Sequence, residues 1–323
     1  MSNEVVTATN VKNEIRSSKK YKREVLMRKL KKDKWLYVLL IPGVLYYLLF
    51  HIAPMWGIVI AFQNYSPFLG VSGSEWIGFK NFTDFFQNPD FVRLFVNTLV
   101  LSLLSIVFYF PAPILISLML NEIRRELYKK AIQTFVYIPH FVSMVVVASI
   151  TYILLNTEGG PINALIMNFG GAKINFLGSV TWFRPLIIIQ TIWKECGWGT
   201  IIFLAALSSV DAEQYEAAIV DGAGRFRQLW HITLPAIRST IVILLIMRMG
   251  SVLSNGFEQI FLMTNSLNRT VADVFDTYVY TLGVTQGAFS YSTAVGLFKS
   301  LIGLILILST DKIAKKCGES GLF

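Results

Sequence analysis

The chain has 323 residues, of which 54% are hydrophobic and only 15% are charged. Soluble domains carry about a quarter charged residues, so this composition excludes a soluble globular protein and predicts an all-α integral membrane protein. The net charge of +9 does not indicate nucleic-acid binding, because no basic surface interleaved with aromatic residues accompanies it. Eleven of the 29 Lys and Arg residues instead precede position 35.

Residues 1–34 therefore form a basic segment, which we expect to lie in the cytoplasm beside anionic membrane lipid. Six apolar stretches follow that are long enough to cross a bilayer, which takes about 20 helical residues. They cover residues 36–62, 93–120, 132–155, 183–207, 239–263 and 293–310. The sequence thus predicts a domain of six transmembrane helices over 35–311, with its core over about 93–311, and a tail over 312–323.

The orientation follows from the distribution of Lys and Arg residues along the chain. The segments on one side of the six spans hold 21 of them, whereas the segments and margins on the other side hold five. Because cytoplasmic loops are enriched in Lys and Arg, both termini are predicted to be cytoplasmic, in a multi-pass plasma-membrane protein.

The loop between spans four and five, over 208–237, is predicted to form a helix–turn–helix. Asp211 can cap the first helix, with Gln214 placed as in a capping box. Gly222 allows the turn, because glycine reaches positive φ without steric cost. Small, charged and aromatic side chains are mixed on this pair, as on surfaces that pack into a groove of a partner. The alternative from the residues alone is an amphipathic pair that lies on the lipid surface.

Three short motifs in this loop carry a family resemblance: Glu216-Ala217-Ala218, Asp221-Gly222-Ala223 and Ile232-Thr233-Leu234-Pro235. With this spacing and position, the loop resembles the EAA loop of the permeases of binding-protein-dependent ABC importers. The resemblance implies a type I ABC importer permease fold, in which a coupling helix of this loop docks into a groove on a cytoplasmic ATPase. The residues implied in coupling to the ATPase are Glu216, Ala217, Ala218, Asp221, Gly222, Ala223, Arg225, Leu234 and Pro235.

Further motifs narrow the resemblance to the LplB-like, MalF-related permeases of Gram-positive bacteria. They are Pro54–Phe62, Asn97–Leu99, Tyr137–His140, Phe275–Tyr280 and Tyr291–Lys299. This resemblance implies oligosaccharide import, a second homologous permease, two copies of an ATPase that binds ATP and Mg, and an extracellular lipid-anchored solute-binding protein. The chain departs from the maltose permease in lacking its large extracytoplasmic insertion, so contacts of that insertion do not transfer.

The sequence gives little support for chemistry on this chain itself. It has no G-x-x-x-x-G-K-[ST] motif for binding nucleotide phosphates and no G-x-S-x-G elbow. Its three histidines, His51, His140 and His231, are scattered without metal-ligand spacing. We therefore predict a protein that is not an enzyme and holds no cofactor of its own.

Polar residues inside spans four and five are candidates for a substrate pathway, because ionisable groups are costly in a bilayer. Aromatic rings beside polar groups suit a sugar, whose faces stack while its hydroxyls form hydrogen bonds. The candidates are Trp193, Glu195, Trp198, Asn255, Glu258 and Gln259. The alternative for span four is a buried structural pair of Lys194 and Glu195 with ordinary packing aromatics.

Two functions of other classes compete with the importer permease. An ion-coupled secondary transporter would need carboxylates that face a cavity, and only Glu195 and Glu258 are obvious candidates inside the spans. A membrane scaffold that binds an ATPase without transporting anything would need no polar lining.

Overall fold

The computed structural model describes residues 32–254, 256–319 and 321–322. The chain divides into two compact units, Met1–Val59 and Ile60–Phe323. Most of the predicted basic segment, which precedes residue 32, lies outside the described residues. The candidate Asn255 also lies outside them.

Helix α1, Lys34–Phe62, contains nearly all of the described part of the first unit. Its first segment, Lys34–Tyr47, is regular α-helix around Pro42 and buries no side chain. The helix then passes through a π-helical turn at Leu48–Ile52 into a 3-10 segment at Ala53–Phe62. Proline donates no backbone hydrogen bond, and the helix type changes after Pro42 and again beside Pro54.

The second unit opens with two short antiparallel strands, β1 (Gln63–Asn64) and β2 (Glu75–Trp76), with helix α2 (Gly70–Gly73) between them. The rest is helical. The helices are α3 (Lys80–Gln87), α4 (Phe91–Asn121), α5 (Glu126–Phe141), α6 (Met144–Leu155), α7 (Pro161–Asn168), α8 (Val180–Ser208), α9 (Ala212–Val220), α10 (Arg225–Ala236), α11 (Arg238–Gly250), α12 (Phe257–Met263), α13 (Arg269–Ala272), α14 (Phe275–Tyr280) and α15 (Phe289–Lys316).

Within the described residues, three helices are long and apolar enough to cross a membrane, namely α1, α4 and α15. The number rises to at most five if the bent pairs α5–α6 and α10–α11 each count as one span. Helix α8, which covers predicted span four, has 29 residues but is not among them. Its central polar residues, which include Lys194 and Glu195, lower its hydropathy.

Predicted span three is not one helix. Helices α5 and α6 meet at 98°, so the stretch 132–155 is either a broken span or a re-entrant loop. Pro139 starts a short 3-10 turn at the end of α5. The hydroxyl of Ser143 then accepts a hydrogen bond from the Val146 N–H and caps α6. A polar cap placed in the middle of an apolar run therefore restarts the helix in a new direction.

Predicted span five is also interrupted. Helix α11 ends at Gly250, and α12 begins only after Gly256, which has a φ of 70°. This left-handed conformation costs glycine little, and it immediately precedes the first turn of α12, where the sequence is polar. The stretch 239–263 is thus two helices joined by a turn.

Helix α4 stays continuous although it contains two prolines. Pro111 and Pro113 follow a π-helical turn at Ser105–Tyr109, in which the Phe110 N–H donates to the Ser105 carbonyl at 3.0 Å. The α-helical hydrogen-bond pattern is therefore interrupted locally by this turn, just before the prolines.

Two glycines let α8 approach its neighbours closely. A Cβ atom at Gly197 would clash with the backbone carbonyl of Val136 in α5, and one at Gly199 would lie 2.9 Å from Pro113 in α4. Small residues at such crossings allow helix backbones to pack closely in membranes. Helix α8 is continuous at both glycines, which therefore allow neighbouring helices to pack closely against it.

Aromatic side chains pack the region around α14 and α15. Phe85 and Phe275 are fully buried there, and Asn88 donates to the hydroxyl of Tyr278 at 2.9 Å. Burial, followed by the hydroxyl of Tyr291, raises the pKa of Tyr278 above its ordinary value. Lys299 of α15 forms an ion pair with Asp276 of α14.

Candidate functional site

A polar cavity of about 500 Å³ lies among helices α4, α6, α8, α11 and α12. Its lining combines apolar, hydroxyl, amide and charged side chains, as ligand pockets do. The lining residues are Leu101, Ser105, Tyr109, Met144, Ile187, Ile188, Thr191, Lys194, Glu195, Arg248, Ser254, Gly256, Phe257, Glu258 and Gln259.

Gln259 joins two of the helices that form the cavity wall. Its amide nitrogen donates to the Ile187 carbonyl at 2.9 Å and to the Gln190 side-chain oxygen at 3.1 Å. Its amide oxygen accepts from the Thr191 hydroxyl at 3.1 Å. Gln190 in turn donates to the Thr151 hydroxyl at 2.7 Å, which extends the network to α6. The interrupted span five is thereby held against α8 through side chains and not through a continuous helix.

The two cations of the cavity have different partners. Lys194 donates to the His140 carbonyl at 2.8 Å and lies 3.3 Å from one oxygen of Glu195. The other Glu195 oxygen lies 2.8 Å from His140 Nδ1. Arg248, in contrast, donates to the Ser105 hydroxyl at 2.7 Å and lies over the Tyr109 ring. The hydrogen-bond partner of Arg248 is therefore a neutral hydroxyl, whereas Lys194 lies beside a carboxylate.

The structure separates the six predicted pathway residues into groups. Glu195, Glu258 and Gln259 line the cavity. Trp193 lines a different, largely apolar cavity of about 280 Å³ beside α5. Trp198 stacks on the His140 ring with centroids 4.8 Å apart. Neither tryptophan therefore belongs to the described lining of the polar cavity. The sixth candidate, Asn255, lies outside the described residues.

Sequence reasoning did not single out Ser105, Tyr109 or Thr191, which also line the cavity. Ser105 and Tyr109 lie in an apolar stretch, where neither charge nor motif distinguishes them. The one available signal is the proline pair that follows, because prolines displace the preceding helical register into a π-turn. That turn holds both residues.

The second candidate site is the helix pair α9–α10, referred to below as the coupling pair. The Asp211 side chain caps α9 by accepting from the Glu213 N–H at 3.0 Å. At its other end, the N–H groups of Ala223 and Gly222 donate to the carbonyls of Ala218 and Ile219, at 2.8 and 3.0 Å. These are the two bonds of a Schellman motif, which requires the φ of 72° found at Gly222. The predicted helix–turn–helix is confirmed.

The coupling pair presents most of its motif residues on the surface. Glu216, Ala217, Asp221, Gly222, Arg225 and Pro235 are exposed, and Ala218, Ala223 and Leu234 are half-buried. Apolar side chains beside them are also exposed, Val220 at 87% and Phe226 at 80%. Such a patch is typical of an interaction surface.

Contacts join the two helices of the coupling pair to each other and to neighbouring helices. The Tyr215 hydroxyl lies 3.0 Å from Thr233 Oγ1 and so links α9 to α10. Arg225 lies 3.5 Å from Glu122, at the end of α4. Leu234 packs against a buried cluster that contains Phe203 of α8. The coupling pair is therefore in contact with α4 and α8, which also line the cavity.

Comparison with known proteins identifies the family. Residues 100–318 match the family of binding-protein-dependent transport system inner membrane components. The chain belongs to this family. It is the permease of a binding-protein-dependent importer and a multi-pass membrane protein.

Relatives and solved structures agree with this identification. The permease is 63% identical over 92% of its length to protein LplB of Bacillus subtilis, 93% of which is covered. It is 57% identical over 94% of its length to the polygalacturonan/rhamnogalacturonan transport system permease protein YteP of the same species, covering 95% of it. A chain of a bacterial alginate ABC transporter, crystallised with a periplasmic protein carrying an alginate pentasaccharide, matches with a TM-score of 0.84 and 38% identity, covering 91% and 99% of the two chains.

Family membership decides between the three functions that the residues left open. An ion-coupled secondary transporter and a scaffold that transports nothing both differ from this family of importer components.

Proposed function

We propose that this permease carries an oligosaccharide across the plasma membrane through the polar cavity. The observation that carries the proposal is the composition of the lining, in which hydroxyl, amide and charged groups stand beside Phe257 and Tyr109. Sugars need both hydrogen-bonding groups and apolar contact. The relative YteP, a polygalacturonan/rhamnogalacturonan transport system permease protein, and the structure of the alginate transporter support the same substrate class.

The proposal includes a partner ATPase dimer, which binds ATP and Mg and drives the transport cycle. The conformational change of the ATPase on closure would be transmitted to the permease through Glu216, Asp221, Arg225 and their neighbours in the coupling pair. The exposure of these residues and the contacts of the pair with α4 and α8 support this route. A second homologous permease would enclose the path, and an extracellular lipid-anchored binding protein would deliver the substrate.

The proposed topology has six spans over 35–311, with a core over about 93–311 and the coupling loop over 208–237. Helices α1, α4, α8 and α15 would each form one crossing, the bent pair α5–α6 another, and α11 with α12 the remaining one, so that α10 stays in the cytoplasmic loop. The basic segment 1–34 and the tail 312–323 would both be cytoplasmic. The excess of Lys and Arg on that side of the sequence supports this orientation.

Purification of the tagged chain from native membranes in mild detergent tests the partners. We expect mass spectrometry to find a second permease and an ABC ATPase. Glu216→Lys should lose the ATPase while retaining the second permease, and Gln214→Lys on the opposite face of α9 should retain both. Recovery of the ATPase with Glu216→Lys at the wild-type level would contradict the coupling role.

Labelling of Cys317 tests the topology, because this cysteine is free and exposed near the C-terminus. In a Cys196→Ser background, a membrane-impermeant maleimide should label inside-out vesicles and leave intact cells unlabelled. Labelling of intact cells would place the C-terminus outside and overturn the proposed orientation.

A further inference from the structure

Arg248 differs from Lys194, the other cation of the cavity lining, in having no carboxylate partner within the part of the chain that the structure describes. Over residues 32–254, 256–319 and 321–322, no Asp or Glu side chain lies within 4.0 Å of its guanidinium. Its partners are the Ser105 hydroxyl and the face of the Tyr109 ring. Lys194 in the same cavity has Glu195 and a backbone carbonyl as partners, so its charge is already compensated.

A cation that lines a cavity inside a helical membrane bundle is costly unless it is paired. Guanidinium carries five N–H donors in a planar fork, and Ser105 accounts for one of them. Ser105 and Tyr109 hold Arg248 in place without neutralising it. The arrangement leaves a fixed cation with free donors at the cavity, which suits an anion that is present only during transport.

The planar fork is complementary to a carboxylate, because two parallel N–H···O bonds form at once. Thr191 and Gln259, in the same lining, can bond hydroxyl groups. Glu258 also lines the cavity, and its carboxylate can accept bonds from hydroxyls but repels an acid group. A sugar that carries one carboxylate would thus be oriented with that group toward Arg248.

We propose that Arg248 is a specificity-determining residue that binds the carboxylate of an acidic sugar unit, so that this permease favours uronic-acid oligosaccharides over neutral ones. The inference rests on the proposed oligosaccharide function and adds the charge of the substrate. Ser105 and Tyr109 act as positioning residues that hold the guanidinium at the cavity.

Binding to the full chain, purified in detergent with the subunits that accompany it, tests this assignment. The probes are trigalacturonate, its methyl ester, which keeps the sugar and removes the charge, and arabinotriose as a second neutral sugar. The variants are Arg248→Met, which removes the charge at similar length, and Arg248→Lys, which keeps the charge without the fork. Arg124→Met, at an exposed arginine outside the cavity, is the matched control.

We expect the wild type to bind trigalacturonate about ten- to hundredfold more tightly than the methyl ester, as hydrogen bonds to a charged group imply. Arg248→Met should remove this preference, Arg248→Lys should keep part of it, and Arg124→Met should keep all of it. If Arg248→Met does not elute as a monodisperse complex, Arg248→Lys decides the question through its reduced preference.

Equal binding of acid and ester by the wild type, or an undiminished preference in both Arg248 variants, would overturn the assignment. Binding of arabinotriose with no binding of trigalacturonate would do the same and leave oligosaccharide import standing. Binding of none of the three sugars would instead contradict the proposed oligosaccharide function, and this inference with it.

Discussion

The coupling pair and the polar cavity are built in opposite ways. The coupling pair is a continuous stretch, from Asp211 to Pro235, whose cap, turn and exposed motif are set by neighbouring residues. The cavity is assembled from five helices, and its polar contacts join residues as distant in sequence as Ser105 and Arg248. A local signal therefore suffices for the coupling pair, whereas the cavity depends on how the helices pack.

Reversal of charge on the coupling pair is expected to have the largest effect. Glu216→Lys should reduce uptake of the substrate to background, because an exposed carboxylate of the proposed ATPase contact becomes a cation. The fold should persist, since Glu216 is exposed. Substrate uptake by cells, with membrane levels of the protein measured by immunoblot, checks this result.

The control for this prediction lies two residues away. Gln214→Lys adds a positive charge to the same helix, on the opposite face, and should leave uptake near the wild-type level. If both variants lose uptake equally, the effect comes from net charge on α9 and not from a specific contact.

A second prediction concerns the packing that supports the cavity. Gly197→Ala should destabilise the protein by about 1–3 kcal/mol, because its Cβ would clash with the Val136 carbonyl and force α8 away from α5. The midpoint of thermal unfolding in detergent should fall accordingly. Gly296→Ala is the matched control, since nothing lies within 4 Å of its Cβ position. An unchanged midpoint for Gly197→Ala would contradict the close crossing.

The third prediction sharpens the contrast between cavity residues and their neighbours. Gln259→Leu should cost about 1–2 kcal/mol, because Thr191 and Gln190 lose their partner. It should also weaken sugar binding, since Gln259 lines the cavity. Trp198→Leu should lower stability through loss of the stack on His140 and leave sugar affinity unchanged. Equal losses of affinity in the two variants would contradict the separation of Trp198 from the cavity.

The smallest effect is expected at the turn of the coupling pair. Gly222→Ala should cost about 1 kcal/mol, because alanine is strained at a φ of 72°. Gly224→Ala should cost less, since its φ of −69° suits any residue. Purified protein compared by thermal unfolding tests the difference. A larger loss for Gly224→Ala would indicate that the turn is not held in this conformation.

The sequence allowed different parts of these sites to be predicted with different success. The helix–turn–helix, the Asp211 cap and the turn at Gly222 follow from local chemistry, and all three are present. Glu195, Glu258 and Gln259 were selected as polar groups within apolar stretches, and they do line the cavity. Trp193 and Trp198 were selected because of their proximity in sequence to Glu195. Their side chains leave α8 in other directions, which spacing alone did not reveal.

The break in span three could not be predicted from hydropathy, because the apolar character continues past Ser143. A new helix begins there because the Ser143 hydroxyl caps it. Span five is different, because its sequence becomes polar over residues 254–259 and contains glycines at 250 and 256. These residues mark the interruption, which the search for long apolar stretches passed over.

The sequence by itself determined that this is a membrane protein of helices and that residues 211–235 form a helix pair, and its charge asymmetry predicts an orientation. These properties depend on composition and on neighbours within a few residues. The tertiary structure alone decided that Arg248 contacts Ser105 and Tyr109 and that Lys194 lies beside Glu195 in the cavity. It also decided that Gln259 forms hydrogen bonds with α8. Such pairings join residues up to 143 positions apart, and only the packing of the helices brings them within hydrogen-bonding distance.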